Sequence, residues 1–235
     1  GQEGKSMRLI VSTSGGKDST ALAICMKRQK PDVTVEYVFC DTGRELPELY
    51  AYLDSLEGIL GQPIKRLTGG WYCDFCEIYG SDPQPPRCPY CDQQTKPRDM
   101  DYYMRKWSND NGRYLPSAQG RWCTNYLKIR PLERYLRGAT ATVYIAFRAD
   151  EDRVGIYGAK PNILYEYPFQ DAGIGLEGVL STLASGGLKL PDFYQWRGVG
   201  GCWNCPFQRK RHWLGLKRNH PDLFARAVEE ESHSA

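Results

Sequence analysis

The sequence predicts an α/β protein built on a parallel sheet and carrying a small cysteine-rich insert. Short apolar runs alternate with helix-forming stretches from MRLIVST onward, the pattern of strand–helix units that feed parallel sheets. The first such unit turns through S-G-G-K-D-S-T at Ser14 to Thr20, a glycine turn between strand and helix. Between Gly69 and Gly120 the pattern stops, and two C-x-x-C pairs appear among prolines and glycines. A length of 235 residues suits one α/β domain over 7–235 with a module inserted at 69–120. Hydrophobic content of 41% and charged content of 25% are ordinary for a globular protein. No apolar run nears the ~18 residues of a membrane span, and no leader pattern precedes the first strand, so a cytoplasmic protein without membrane contact is expected. A net charge of +3 is too small to imply a polyanionic partner by itself. Gly1 to Ser6 precede Met7 and read as a remnant of the expression vector, outside the fold.

The first turn has the makings of an anion site. Gly15 and Gly16 allow positive φ and close backbone approach, and the N–H groups at the start of the helix ALAICMKRQ would point at phosphate oxygens. Lys17 adds a point charge, while Ser12, Ser14, Ser19 and Thr20 add hydroxyls and Asp18 a carboxylate. A Walker A loop is excluded, because Val11 and Asp18 stand where it needs Gly and Ser or Thr. The next strand, VTVEYVFCDTG, ends at Asp41. Asp41, Thr42 and Gly43 then fall at the carboxyl edge of the sheet, where ligands bind in such folds. Leu46, Leu49, Tyr50, Leu53, Leu56 and Leu60 recur at helical spacing, and IKRLTG supplies a third strand.

In the insert, Cys73 and Cys76, then Cys88 and Cys91, place four soft ligands on two tight turns eleven residues apart. That set suits tetrahedral zinc, and a rubredoxin-like iron or an iron–sulfur cluster could use the same ligands. Four thiolates leave no open coordination position, so the expected role is structural: a lid or docking module ordered by its metal. Farther on come a helix from Arg121, RWCTNYLKIRPLERYL, a strand ATVYIAFRADEDRVG, a Y-P-F-x-D turn, and G-C-W-N-C-P-F. The basic run QRKRHWLGLKRNH follows at Gln208 to His220. Cys25 and Cys40 sit in apolar helix and strand patterns as core residues, and His220 and His233 carry no motif.

SGGKDS resembles the PP-loop of the N-type ATP pyrophosphatases. The segments D-T-G-x-E-x-P, R-x-C-T-x-x-x-K, R-A-D-E-D-R, Y-P-F-x-D and G-C-x-x-C-P-F resemble its phosphoadenylyl-sulfate (PAPS) reductase-like branch, over about Met7 to Glu231 without the insert. The resemblance implies a sheet with helices on both faces, of the adenine nucleotide alpha hydrolase type. It also implies ATP with Mg2+, cleaved between the α and β phosphates to AMP or an adenylated acceptor and pyrophosphate. Lys17, Asp18, Arg148 and Arg153 would be catalytic, and Lys128 and Arg130 would add positive charge. By the same resemblance Cys123, Cys202 and Cys205 would come together, as an open iron–sulfur site or with a fourth ligand such as His212; zinc and unliganded thiols remain alternatives. The reductase branch uses a C-terminal cysteine nucleophile, and no cysteine follows Cys205 here, so the reductase reaction is not expected. Members of the branch occur in DNA sulfur modification and CRISPR loci, which implies a nucleic-acid or nucleoprotein partner. A sulfonucleotide reductase variant and a non-catalytic nucleotide-binding accessory protein are the alternatives.

Overall fold

A computed structural model describes residues 7–107, 114–153, 155 and 160–233. The expected vector remnant, Gly1 to Ser6, and residues 108–113 of the expected insert lie outside them. The chain begins with β1 (Arg8–Thr13), α1 (Lys17–Gln29), β2 (Val35–Cys40), α2 (Pro47–Leu60) and β3 (Lys65–Leu67). The cysteine-rich segment supplies β4 (Trp71–Cys73), β5 (Ile78–Gly80), β6 (Lys96–Pro97) and α3 (Met100–Lys106). Next is a helix in three pieces, α4 (Trp122–Thr124), a π-helical turn (Asn125–Ile129) and α5 (Arg130–Tyr135). The rest is β7 (Ala141–Tyr144), β8 (Ile163–Glu166), α6 (Pro168–Asp171), α7 (Leu176–Ser185), a 3-10 turn (Asp192–Gln195), α8 (Lys210–Asn219) and α9 (Pro221–Ser232).

The main sheet is parallel with strand order β3-β2-β1-β7-β8. In register, Thr13 of β1 lies opposite Phe39 of β2, and Arg8 opposite Ala141 of β7. Such strands must be apolar on both faces, and Ile10, Val11, Val38, Phe39 and Val143 are all essentially buried. α1 packs on β1, on α2 and on α7. The helical spacing read in α2 corresponds to its buried face: Leu49, Leu53, Leu56 and Leu60 are buried and Tyr50 partly so. Two strand boundaries differ from the sequence expectation. β2 stops at Cys40, one residue before Asp41, and ATVYIAF pairs only over Ala141–Tyr144. β8 was not expected: it is a short edge strand with Leu164 exposed, and its sequence lacks a long apolar run.

The chain forms two compact units. One comprises residues up to Phe39, Pro47–Arg66 and Leu136–Asp192, and holds most of the main sheet. The other comprises Cys40–Leu46, Leu67–Tyr135 and the residues from Phe193 on, and contains the whole cysteine-rich segment. It has its own antiparallel sheet, β5-β4-β6, and a core of Met100, Tyr103, Met104, Trp122, Leu127 and Cys202. The π turn has a local cause. Pro131 has no N–H to give the Leu127 carbonyl and its ring would crowd that turn, so the helix widens just before it. In the same unit Arg44, fully buried, is gripped by both oxygens of Glu230 (2.8 and 3.1 Å) and by Asp101, and lies over the Trp203 ring.

Candidate functional site

In the sheet unit, the turn after β1 is fixed by its own polar groups. Ser14 N donates to Ser19 Oγ (3.0 Å), Gly16 N to Ser14 Oγ (3.3 Å), and Ser19 Oγ to the Gly16 carbonyl (3.1 Å). Gly15 has φ +68°, and a Cβ there would lie 2.6 Å from Leu49 Cδ2, so both backbone freedom and close packing require glycine. No side chain caps α1. Its first N–H groups and dipole therefore stay available to an anion.

Two cations converge on Asp18. Lys17 Nζ is 2.8 Å from one carboxylate oxygen and Arg148 Nη1 is 3.0 Å from the other. Arg148 also pairs with Asp150 and Glu151, and these partners raise its pKa although burial works the other way. Arg153 reaches this group only through Glu151, at 3.6 Å, and is largely exposed. Of the other expected loop residues, Ser12 is half-buried in β1, and Thr20 is fully buried on the core side of α1.

In the second unit, Asp41 Oδ1 accepts from Gly43 N (2.8 Å) and holds Gly43 at φ +74°. Thr42 is buried, with its Oγ1 2.9 Å from Glu45 Oε1 and 3.1 Å from Cys202 Sγ. Burial and the charge of Asp41 raise the Glu45 pKa. Burial, then Glu45, push the Cys202 thiol up to about 12. Lys128 is raised as well: desolvation opposes its charge, but Cys202, Glu45, Cys123 and Cys40 outweigh it. Glu45 is the carboxylate of the D-T-G-x-E pattern, and its place there is the sequence signal that marks it.

Cys73, Cys76, Cys88 and Cys91 come together with their sulfurs all within 4.8 Å. Cys73 and Cys91 are 3.5 Å apart and Cys76 and Cys88 4.0 Å. A tetrahedral Zn–S bond of about 2.3 Å places sulfurs about 3.8 Å apart, so the set fits zinc. Each C-x-x-C sits on a hairpin. The first joins β4 to β5, and the second is closed by Cys88 N donating to the Gln93 carbonyl (2.7 Å). Each is followed by a non-glycine residue in the left-handed region, Glu77 (φ 56°) and Asp92 (φ 59°), which turns the chain away from the sulfurs. Burial opposes the Cys88 thiolate, but N–H groups of Tyr90 and Cys91 aimed at its sulfur bring the thiol down to about 7.

Cys123, Cys202 and Cys205 all pack at one hydrophobic cluster, but they do not form a closed ligand set. Among the described residues, the four-cysteine group is the one set of three or more His, Cys, Asp or Glu ligand atoms this close together. Cys202 faces Thr42 and Glu45 instead, and the buried His212 has its Nε2 against Arg211 Nε (3.3 Å). Beside these thiols Arg197 is buried, its Nη2 donating to the Cys202 carbonyl and its Nε and Nη1 without a partner. Cys25 Sγ lies 3.8 Å from Thr182 Oγ1, and Cys40 Sγ donates to the Lys128 carbonyl with its thiol pushed up to about 12 by burial.

Residues 8–68, from β1 past β3, match the family model described as the phosphoadenosine phosphosulfate reductase domain. No curated protein matches the chain. A phosphoadenylyl-sulfate (PAPS) reductase from Candida auris, solved as a phosphate complex, is similar in structure. Its TM-score is 0.55 at 12% identity, over 85% of this chain and 83% of that one. The U34-tRNA thiolase NcsA from Methanococcus maripaludis, solved with its [4Fe-4S] cluster, gives a TM-score of 0.49 at 12% identity, over 96% of this chain and 70% of that one. With strand order β3-β2-β1-β7-β8 and the glycine turn after its central strand, the chain has the PAPS reductase-like fold, and its first 8–68 residues carry that family's domain signature.

Proposed function

We propose that the chain is an ATP pyrophosphatase. ATP lies with its β,γ-pyrophosphate on the turn Ser14–Ser19, and cleavage between the α and β phosphates yields AMP, or an adenylated acceptor, and pyrophosphate. One observation carries this: an uncapped helix start behind Gly15 at φ +68°, with Lys17 and Arg148 meeting on one carboxylate. Phosphate oxygens replace Asp18 as the partner of those two cations. Lys17 and Arg148 then neutralise the charge that grows on the pyrophosphate as it leaves. Freed from them, the Asp18 carboxylate would be the residue to hold the Mg2+ that accompanies the nucleotide. Arg153 is held in reserve by Glu151 for the same charge. Asp41, Thr42, Gly43 and Lys128 are the further residues assigned to nucleotide binding by the resemblance.

With ATP and Mg2+ the expected products are AMP and pyrophosphate. Lys17→Ala should lower turnover by roughly 100-fold or more, the scale of losing a transition-state charge contact, without changing the unfolding midpoint. ADP and phosphate as main products would overturn the proposal.

A second reading, a sulfonucleotide reductase variant, is favoured by the family match over residues 8–68. Binding of ATP without turnover would instead leave a nucleotide-binding accessory protein. The four-cysteine module takes zinc and serves as a structural or docking element, in a cytoplasm that keeps its thiolates reduced. A metal at Cys123, Cys202 and Cys205 requires the Cys202 sulfur to leave Thr42 and Glu45, and anaerobic iron and sulfide analysis decides whether a [4Fe-4S] cluster is there. The reaction would serve nucleic-acid sulfur modification or a defence or CRISPR-associated role.

A further inference from the structure

In the second unit four aromatic side chains, Trp107, Tyr114, Trp122 and Tyr126, line an open hollow of about 380 Å³. Trp122 belongs to the buried cluster of this unit, and Trp107 and Tyr126 pack against it. The Tyr114 and Trp122 rings are within 22° of parallel with centroids 6.5 Å apart. Trp107 stands nearly perpendicular to both, at 6.4 and 5.0 Å. Tyr114 and Trp122 thus present near-parallel rings to the hollow. Tyr114 is 51% exposed and Trp122 only 8%, so Tyr114 supplies the ring open to a ligand.

The surroundings decide which flat or cationic group belongs there. Aromatic cages also bind quaternary ammonium groups. Here, however, Arg130 lies 4.0 Å over the Tyr126 ring, and exposed Arg121, next to Trp122 in sequence, stacks at 4.7 Å on Phe207. Two guanidinium groups at the rim repel a cation and favour an anion. From Phe207 the chain runs directly into α8, where Arg209, Lys210, Arg211, Lys217 and Arg218 are exposed and 207–220 contains no acidic residue. Among the described residues none of these five forms an ion pair. An aromatic slot followed by unpaired cations matches a ligand of alternating bases and phosphates.

We propose that the hollow formed by Trp107, Tyr114, Trp122 and Tyr126, together with Arg121 and the cations of α8, is a binding face for single-stranded nucleic acid. One unstacked base enters the hollow and stacks on Tyr114, and the adjoining phosphates run along Arg121, Arg209, Lys210 and Arg211. A duplex keeps its bases stacked and cannot fill the slot. This deepens the nucleic-acid role proposed above, but the face does not depend on ATP cleavage.

The test is fluorescence anisotropy with labelled 20-nucleotide single strands, DNA and RNA in separate arms, with the same sequence as duplex and no ATP present. Single strands should bind at least tenfold tighter than duplex. Tyr114→Ala, at an exposed position, should weaken binding about tenfold, within the range of one lost base–aromatic stack. Replacing Arg209, Lys210 and Arg211 by Ala should reduce the slope of log K against log salt by about 2, at ~0.7 per phosphate contact. The tighter of the DNA and RNA arms names the strand. Equal duplex and single-strand affinity, no effect of Tyr114→Ala, or binding to anionic vesicles in place of oligonucleotide would overturn the proposal. Since ATP is absent, none of these outcomes bears on the pyrophosphatase reaction.

Discussion

Arg44 shows how one residue can carry much of a unit's stability without any motif announcing it. Its guanidinium is fully buried, held bidentately by Glu230 and again by Asp101, and Arg226 reaches both acids from the other side (2.8 and 3.2 Å). Arg44→Met leaves Glu230 buried without its main counter-charge. The expected cost is about 3–5 kcal/mol, the range for breaking a buried pair from one side, read as a lower urea midpoint. Asp101 adds a pH dependence with a definite sign. Burial favours its neutral form, but Arg44 and Arg226 outweigh burial and lower its pKa below the ordinary 3.8. Its contribution is therefore complete above the unfolded value and is lost as pH falls through the lower folded one. Between about pH 5 and pH 3 the wild-type midpoint should fall more steeply than that of Asp101→Asn. Parallel curves would remove Asp101 from the network. Lys17 and Gly15 differ from Arg44 in being legible in the sequence, because a glycine turn between strand and helix has few other uses, whereas Arg44 reads as one more charged residue after D-T-G.

Among elements, the four-cysteine module was the most readable, since C-x-x-C spacing alone fixes the turn on which each ligand pair sits. Each pair lies on a hairpin, and Glu77 and Asp92 take the left-handed conformation just after it. Sulfur separations of 3.5 and 4.0 Å bracket the value tetrahedral zinc requires. Purified protein should hold one zinc per chain, and Cys88→Ser with Cys91→Ser should lose about one equivalent by metal analysis, because half a ligand set keeps little of the chelate affinity. An unchanged metal content in the double variant would show that these sulfurs do not hold it. The other cysteine set was readable only through resemblance. Spacing relates Cys202 to Cys205 but says nothing of Cys123, and the competing partner of Cys202, the Thr42 and Glu45 pair, lies about 160 residues away in sequence. β8 escaped for a related reason: a four-residue edge strand with an exposed Leu164 has neither the length nor the alternation to stand out.

For the whole molecule, the strand–helix alternation was enough to give a parallel α/β sheet, because each unit is local. The division into two compact units was not legible, since the second unit is assembled from three separated segments, Cys40–Leu46, Leu67–Tyr135 and the chain from Phe193. The same assembly bears on which reaction this fold supports. In sulfonucleotide reduction a thiolate attacks the substrate sulfur, forms an S-sulfocysteine while the nucleotide leaves, and a dithiol reductant then releases sulfite. The attacking group must be an accessible thiolate, which in reactive sites means a depressed pKa and partial exposure. Cys202 has the opposite character: it is buried against Thr42 and Glu45, and its thiol is pushed up to about 12. Cys123 is raised too, by burial first. Neither thiol is poised to attack at neutral pH, and Cys205, the other candidate nucleophile, packs against the same hydrophobic cluster. PAPS or adenylyl sulfate with reduced thioredoxin should therefore yield no sulfite in an anaerobic assay in which the same preparation converts ATP to AMP. Sulfite release that disappears with a single Cys123→Ser substitution would make the chain a divergent reductase, because only a nucleophile, and not a packing residue, would remove that product while leaving the fold and nucleotide binding intact.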